Sequence, residues 1–458
     1  MIHEARIRHL IGAPPRRGSY VLYWMQQAQR TEYNHALTFA ARAAGEVELP
    51  LLVGFVLTPG FPEANLRHYH FMLEGIREVR ERLQRLNIGF VLDIGEMVPS
   101  VLRLAEAAAW VVTDVGYLPV QRRWRRDVAE ALACPFTAVE TDVIVPVAAA
   151  SAKEEIAART LRPRLLKQRD MFLDAPAPPR GRGLPDRLPA DGVEWDDPLR
   201  LLGRMGVERT PGPVFPCRSG QQAAKMALSR FIDRDLQYYD SRARDPAAGC
   251  QSGLSPYLHF GQISPVAVYR EVSGADAPDA AKDAFLQQLF VRRELSMNFV
   301  YYNPGPDSYE QAVPGWARES LHLHHRDPRP QLYSQQELEA ADTSDPYWNA
   351  AQTEMCSTGR MHNYMRMYWG KKIIEWSRDP AEAFAVMRFL NNKYALDGRD
   401  PNSFAGVAWC FGRHDRPWKE RPVFGKVRYM NARGLERKFR IRSYVEKVRS
   451  LAQQDGGV

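Results

Sequence analysis

The feature that most constrains this chain is a set of short apolar, β-branched runs within its first 150 residues. They are Val21–Trp24, Leu49–Leu57, Gly89–Ile94, Trp110–Thr113 and Phe136–Val147. A strand with one face in water alternates apolar and polar residues. A strand covered on both faces has no reason to alternate, and that is the pattern of a parallel sheet. Between the runs lie helical stretches. In Leu66–Asn87 the apolar Met72, Ile76, Val79, Leu83 and Leu86 recur at spacings of three and four, which gives one apolar face. Val101–Ala109 and Gln121–Leu132 are shorter candidates. Alternating strands and helices predict an α/β fold, a doubly wound parallel sheet with right-handed crossovers. Such sheets bind ligands beyond the carboxyl ends of their strands. The first strand runs into YWMQQAQR, not a G-x-G-x-x-G loop. A dinucleotide site of the usual kind is therefore not expected in this half.

The pattern then changes. Residues 174–185, DAPAPPRGRGLP, are rich in proline and glycine, and polar sequence continues to Pro216. From Ser219 the strand signals stop. Helical stretches follow at Gln221–Asp235, Ser264–Val272, Asp279–Tyr301, Ser334–Ala341, Asp345–Gly359, Met361–Arg378 and Pro380–Asn392. Pro265 and Pro380 stand at first-turn positions behind the capping residues Ser264 and Asp379. The expected organisation is an α/β domain over 1–150, a linker over 151–216 and a larger all-helical domain over 217–458. No internal repeat is present.

Several classes of protein are set aside. No apolar run approaches the roughly 20 residues needed to span a bilayer, and the N-terminus lacks the apolar core of a secretory signal. A cytoplasmic, monomeric protein without membrane contact is expected. The five cysteines, Cys134, Cys217, Cys250, Cys356 and Cys410, are scattered and odd in number, and read as buried thiols rather than a disulfide framework. The net charge of +8 is uneven: between Arg416 and Arg449 twelve Lys and Arg face three acidic residues. Such a cluster is either a solvated face or a grip on an anionic partner, nucleic acid being the commonest.

Three segments carry candidate chemistry. SGLSPYLHFGQIS (252–264) places small and hydroxyl residues before a helix, where backbone N–H groups and Ser255 suit a phosphate; an ordinary capped turn reads the same way. MHNYMRMYWGKK (361–372), running on to Trp376, sets Trp369 and Trp376 seven residues apart on one helix face, an arrangement that serves core packing or electron relay. NNKYALDGRDP (391–401) puts two carboxylates around Gly398, followed by Trp409 and Trp418.

Together these segments make the chain resemble the class II cyclobutane pyrimidine dimer photolyases of the photolyase/cryptochrome superfamily. The resemblance runs from YVLYWMQQAQR through SGLSPYLHFGQIS, Arg292–Phe299, Leu332–Ser334, Trp348–Gln352, MRMYWGKKIIEW, LNNKYALDGRDPN and HDRPWKERPVFGKVRYMN to Arg437–Phe439. It implies an α/β antenna domain, a helical domain holding FAD, and an enzyme that flips a dimer out of UV-damaged double-stranded DNA and splits it with an electron from light-excited reduced FAD. A deazaflavin antenna or none is expected.

Residue by residue, the resemblance implies that Leu254, Ser255 and Leu258 line the FAD phosphates. Tyr239 also touches FAD, although the segment's arginine position holds Ala243, with Arg242 and Arg244 beside it. Arg366 pairs with Asp397 against the flavin ring, Asp400 completes the contacts, and Asn391 faces N5. Trp376, Trp348 and Trp369 carry electrons inward, with Tyr368 and Tyr333 as side members. Met367, Trp409 and Trp418 form the dimer pocket, Arg292 enters the DNA, and the basic tail, Arg428 included, holds phosphates. The family's dimer-contacting glutamate aligns with Gln288. Glutamine keeps one acceptor oxygen but loses the charge, so either less efficient repair or a contribution from a neighbour such as Glu294 is expected. Asn363 stands where glycine is frequent. Two alternatives remain: a cryptochrome-like photoreceptor, and a (6-4) photoproduct enzyme using His259, His362 or His414.

Overall fold

The computed structural model describes residues 2–185, 193, 195–215 and 218–455. Six strands form one sheet: β1 (Ile7–Ile11), β2 (Tyr20–Met25), β3 (Leu51–Leu57), β4 (Gly89–Ile94), β5 (Ala108–Asp114) and β6 (Phe136–Val139). Their order is β1-β6-β5-β2-β3-β4. The five strands expected from sequence are parallel. β1 was not foreseen, and pairs antiparallel with β6 at the edge. Its IRHLI carries charge and is only partly covered, so it lacks the apolar signature of its neighbours.

The unbroken runs have a direct cause. Val21, Tyr23 and Met25 of β2 enter one core, and Tyr20, Leu22 and Trp24 enter another on the opposite face. Both faces are covered. The run expected to extend as strand to Val147 leaves the sheet after Val139. Its backbone is satisfied by a buried guanidinium instead: Arg6 donates to the carbonyls of Glu140, Val143, Ile144 and Phe172 at 2.6–3.2 Å.

The expected linker is structured in part. A helix spans Ala158–Gln168 and buries Leu161 and Leu165, and Gly181 N–H donates to Leu86 O at 3.0 Å, so the proline-rich stretch lies along the α/β domain. The end of that linker, Pro216, and Cys217 lie outside the described residues. Cys134, Cys250 and Cys410 are buried free thiols; Cys356 is partly covered.

Beyond residue 218 the described chain is helical. The expected single helix over Asp279–Tyr301 is interrupted: Asp279–Leu286 and Arg293–Tyr302 flank a turn of π-helix, Gln287–Arg292. π-Turns break the regular ladder and recur at functional sites. Two helices of ten or more residues in this half escaped the sequence reading, Pro401–Cys410 and Ile441–Asp455, as did shorter ones such as Gly315–Leu323 and Ala432–Lys438. The first is apolar on all sides because it is buried, so it shows no stripe, although Asp400 caps it and Pro401 opens it.

Candidate active site

The site gathers on two helices and the turn after the second. The helix Asn363–Trp376 presents Arg366, whose Nη2 donates to Asp397 Oδ1 at 3.1 Å and whose Nη1 donates to Asn391 Oδ1 at 3.3 Å. Asn391 lies in the last turn of the helix Pro380–Tyr394 and is buried. Asp397 begins the turn that follows. A Cβ on Gly398 would stand 2.8 Å from Ala395 O, 2.9 Å from Asn392 Cα and 3.0 Å from Asn391 O, so the turn closes on the helix only through glycine. Arg366, Asn391 and Asp397, separated by up to 31 positions in sequence, thus form one hydrogen-bonded group; the Arg366–Asp397 pair was expected, and the bond from Arg366 to Asn391 was not.

Asp400 is more deeply committed than expected. One oxygen accepts from Asn402 N–H at 2.8 Å, the other lies 3.1 Å from His259 Nδ1, and the residue is buried. Burial alone would raise its carboxyl, but the bond to His259, the Arg293 charge and the Asn402 N–H together hold the carboxyl below its usual range.

The SGLS segment enters a single helical turn, Ser255–His259, in which Pro256 supplies no N–H. Ser255 is exposed, Leu254 buried and Leu258 partly buried. Leu254, Leu258, Tyr239 and Leu396 share one apolar cluster, which links the Tyr239 segment to the turn bearing Asp397. Tyr239 stands edge-on to Phe231 and Phe285, and burial pushes its hydroxyl up to about 12. His362 Nδ1 accepts from Tyr364 N–H, so Nε2–H donates to Ala243 O at 3.0 Å. That bond ties the Tyr239–Ala243 segment to the start of the 363–376 helix. Burial holds His362 neutral, its pKa lowered to about 4. Sequence reading missed Arg360, whose Nη1 comes within 2.8 Å of where a Gly253 Cβ would stand. Its only signal was a cation one residue before a helical segment already singled out.

Four aromatic rings form a row. Trp369 stacks on Trp348 with centroids 6.2 Å apart, Trp348 meets Trp376 at 5.5 Å, and Trp376 meets Tyr333 at 5.0 Å. The three tryptophans are buried and Tyr333 is partly exposed. Tyr368 stands to the side: its hydroxyl donates to Asp345, and Lys372 Nζ sits 6.0 Å from its ring and 5.2 Å from that of Trp376.

A third group faces outward. Trp409 is half-buried and Trp418 is 41% exposed. The Arg428 guanidinium lies between them, 5.6 Å from the Trp409 ring and 4.8 Å from that of Trp418. Arg428 is thus part of the aromatic surface, not a free member of the tail. The other eleven cations between Arg416 and Arg449 are exposed. Met367 is half-buried against the same core as Trp409. Gln288 and Arg292 are exposed on the π-turn.

Glu294 corrects an expectation. It is buried and points at the α/β domain, accepting from the N–H groups of Ile144 and Val145. Burial pushes its carboxyl up to about 8. It is engaged in the domain junction and not available to stand in for Gln288.

Comparison with known proteins agrees with this geometry. Residues 21–180 match the family described as DNA photolyase. The chain is 48% identical over 461 residues to a deoxyribodipyrimidine photo-lyase of Methanothermobacter thermautotrophicus, covering 99% of this chain and 100% of that one. The chain belongs to the DNA photolyase family. Its fold is shared with the class III photolyase of Agrobacterium tumefaciens, at a TM-score of 0.76 and 17% identity over 96% of this chain and 88% of that one. It is shared too with the archaeal photolyase of Sulfolobus tokodaii, whose structure holds two FAD molecules, at a TM-score of 0.70 and 15% identity over 95% and 93%. Among the described residues no helix is long and apolar enough to cross a membrane.

Proposed function

We propose that this photolyase repairs cyclobutane pyrimidine dimers in double-stranded DNA, acting as a cytoplasmic monomer with domains over 1–150 and 217–458 joined by 151–216. The observation that carries the reading is the Arg366–Asn391–Asp397 group, whose Arg366 stands on the same helix as Trp369, the inner member of the tryptophan row. The donor set suits FAD: cationic Arg360 at the Gly253 loop, an Arg366–Asp397 pair, a neutral amide and apolar walls from Leu254, Leu258 and Tyr239. Bound FAD, reduced and excited by blue light, supplies the electron that opens the dimer.

The protein's own residues do the rest. The Asn391 amide both donates and accepts, so it suits a ring nitrogen in either protonation state. Arg366 and Asp397 fix the orientation of that amide. Trp376, Trp348 and Trp369 relay electrons inward, Tyr333 forms the outer end, and Tyr368 stands beside them. Asp400 serves by holding His259 and capping its helix. Met367, Trp409 and Trp418 offer flat or pliable faces that replace base stacking for a flipped lesion. Gln288 offers an acceptor oxygen without charge, Arg292 enters the opened duplex, and the exposed cations hold phosphates.

The cleft lined by Met25, Phe55, Phe61, Trp124, His68 and Arg399 lies beyond the carboxyl ends of β2 and β3. Its apolar walls, with the unpartnered amide oxygens of Gln26 and Gln29, fit a flat heteroaromatic antenna bearing N–H groups, as a deazaflavin does.

Blue-light turnover on oligonucleotides bearing one cyclobutane dimer or one (6-4) photoproduct tests the reading. Repair of the first alone is expected. Repair of the second alone, or of neither by a flavin-loaded protein, overturns it.

A further inference from the structure

The last carbonyls of a helix have no partner within it. In the helix Pro380–Tyr394, which carries Asn391, these carbonyls are taken by the other domain. Asn65 Nδ2 donates to Lys393 O at 2.8 Å, Arg67 Nη1 to Tyr394 O at 2.8 Å, and His68 Nε2 to Ala395 O at 3.0 Å. The three donors open the helix Leu66–Arg85 of the α/β domain, and all are buried. Arg67 also donates to Met355 O at 3.2 Å and Cys356 O at 2.6 Å, near the end of the helix Pro346–Thr358 that bears Trp348.

The tautomer of His68 is set locally. Its Nδ1 accepts from Asn65 N–H, which leaves the hydrogen on Nε2, facing Ala395 O; Arg399 Nη1 lies 3.1 Å from the same Nε2, and burial together with the Arg399 charge holds the ring neutral. Ala395 is therefore gripped twice: His68 holds its carbonyl, and its N–H donates to the carbonyl of Asn391 at 2.9 Å. The path continues through Asn392. Arg399, at φ +64°, donates its Nη1–H to Asn392 O at 2.7 Å and its backbone N–H to Asn392 Oδ1 at 2.9 Å. Asn391 Nδ2 donates to the same Oδ1 at 3.3 Å. Asn392 Nδ2 donates to Glu63 Oε2 of the α/β domain at 2.5 Å, so that domain reaches the Asn391 amide through Asn392 and the Asn391 backbone carbonyl through Ala395.

We propose that Asn65, Arg67 and His68 are positioning residues for the Asn391 amide, so that the α/β domain helps set the environment of the flavin. This rests on the reading that Asn391 faces the flavin. A mere docking contact would fix the domains together without acting on the cofactor. Three consecutive carbonyls held two to four residues beyond Asn391 act on its rotation and depth directly.

The test compares flavin-loaded wild type with Arg67→Met, His68→Leu, His68→Gln and Asn391→Ala. The readouts are FAD affinity, the visible spectrum of bound FAD and its reduction potential. Arg67→Met and His68→Leu are expected to weaken FAD binding about tenfold and to move the potential in the direction that Asn391→Ala moves it. His68→Gln returns an N–H to Ala395 O and is expected to restore the wild-type spectrum. If Arg67→Met fails to fold, Asn65→Ala removes a single bond and is expected to give a smaller shift of the same sign. The proposal is overturned if Asn391→Ala shifts spectrum and potential while the capping variants do not, or if His68→Gln behaves as His68→Leu. If Asn391→Ala itself shifts neither, the placement of Asn391 falls and the proposal with it.

Discussion

Trp348 and Trp369 lie face to face, their planes within 9° of parallel, and the Trp348 indole N–H donates to the backbone carbonyl of Trp369 at 3.0 Å. The Trp369 indole N–H in turn donates to Gln352, one turn along the helix that carries Trp348. Both rings are locked in orientation, as a relay requires and as ordinary core packing does not. Trp369→Phe keeps a ring but changes its redox chemistry. It is expected to abolish light-driven reduction of oxidised FAD and to leave dimer repair intact once the cofactor is reduced chemically. Absorbance under illumination and a separate repair assay check the two halves, and unchanged photoreduction would show the row to be misassigned.

Asp345 holds the outer part of this arrangement together. One oxygen caps the Trp348 helix by accepting from the N–H groups of Tyr347 and Trp348, and the other accepts from the hydroxyl of Tyr368. Asp345→Ala is expected to lose a cap, worth about 1 kcal/mol, and to strand a buried hydroxyl, worth a further 1–3 kcal/mol or so. Urea unfolding of the variant against wild type measures the sum. Tyr368→Phe is expected to cost less, because Asp345 keeps its helix donors.

The parts of the fold that could be read in advance are those governed by burial on both faces. β2, β3 and β4 announce themselves because Val21 and Leu22, adjacent in sequence, enter opposite cores. Where burial is achieved by polar means, the sequence is silent. The segment after Val139 looks like strand, but Arg6, more than 130 positions away, takes its carbonyls. The site shows the same division. Arg366, Asn391 and Asp397 were legible through resemblance, and the structure brings them within hydrogen-bond reach. The capping of Ala395 by His68 was not, since no local pattern pairs residues separated by 327 positions. Glu294 misled for the same reason: nearness to Gln288 in sequence says nothing about which way a side chain points.

The position of Glu294 gives a pH dependence. In the folded protein its carboxyl is pushed up to about 8, from an ordinary value of 4.5, with burial the leading cause. Between those values the native state keeps a proton that the unfolded chain has released. Its contribution to stability is therefore full below about pH 4.5 and is lost as pH rises towards 8. Glu294→Gln keeps an acceptor for Ile144 or Val145 and does not titrate. Thermal unfolding across pH 5 to 9, on the order of the window set by that shift, should show the variant gaining on wild type as pH rises and levelling off above it. A difference independent of pH would mean that the carboxyl is not proton-bound in the folded state.

The outward face separates two ways of holding DNA. Among the exposed tail cations Arg416, Arg421 and Lys438 lie over the rings of Trp418, Tyr429 and Tyr364; removing a different one that touches a phosphate, for example Arg437→Ala, should lower the salt slope of binding by about one and weaken damaged and intact duplexes alike. Trp409→Ala removes a stacking face and no charge. It should erase much of the preference for damaged DNA, base stacking being worth about 1–3 kcal/mol, and leave the salt slope unchanged. Arg428 is the informative case, because its guanidinium lies between the rings of Trp409 and Trp418. Arg428→Ala should therefore combine both effects, a shallower salt slope and a reduced preference for the lesion, because the two rings lose the group that holds them apart. Arg428→Lys keeps the charge but not the flat, stackable face, so it should restore the slope and not the preference. Titrations of the four variants against damaged and intact duplexes at several salt concentrations decide the matter. If Arg428→Ala changes only the slope, the guanidinium is a phosphate ligand like the rest of the tail and its place between the tryptophans has no part in recognising the lesion.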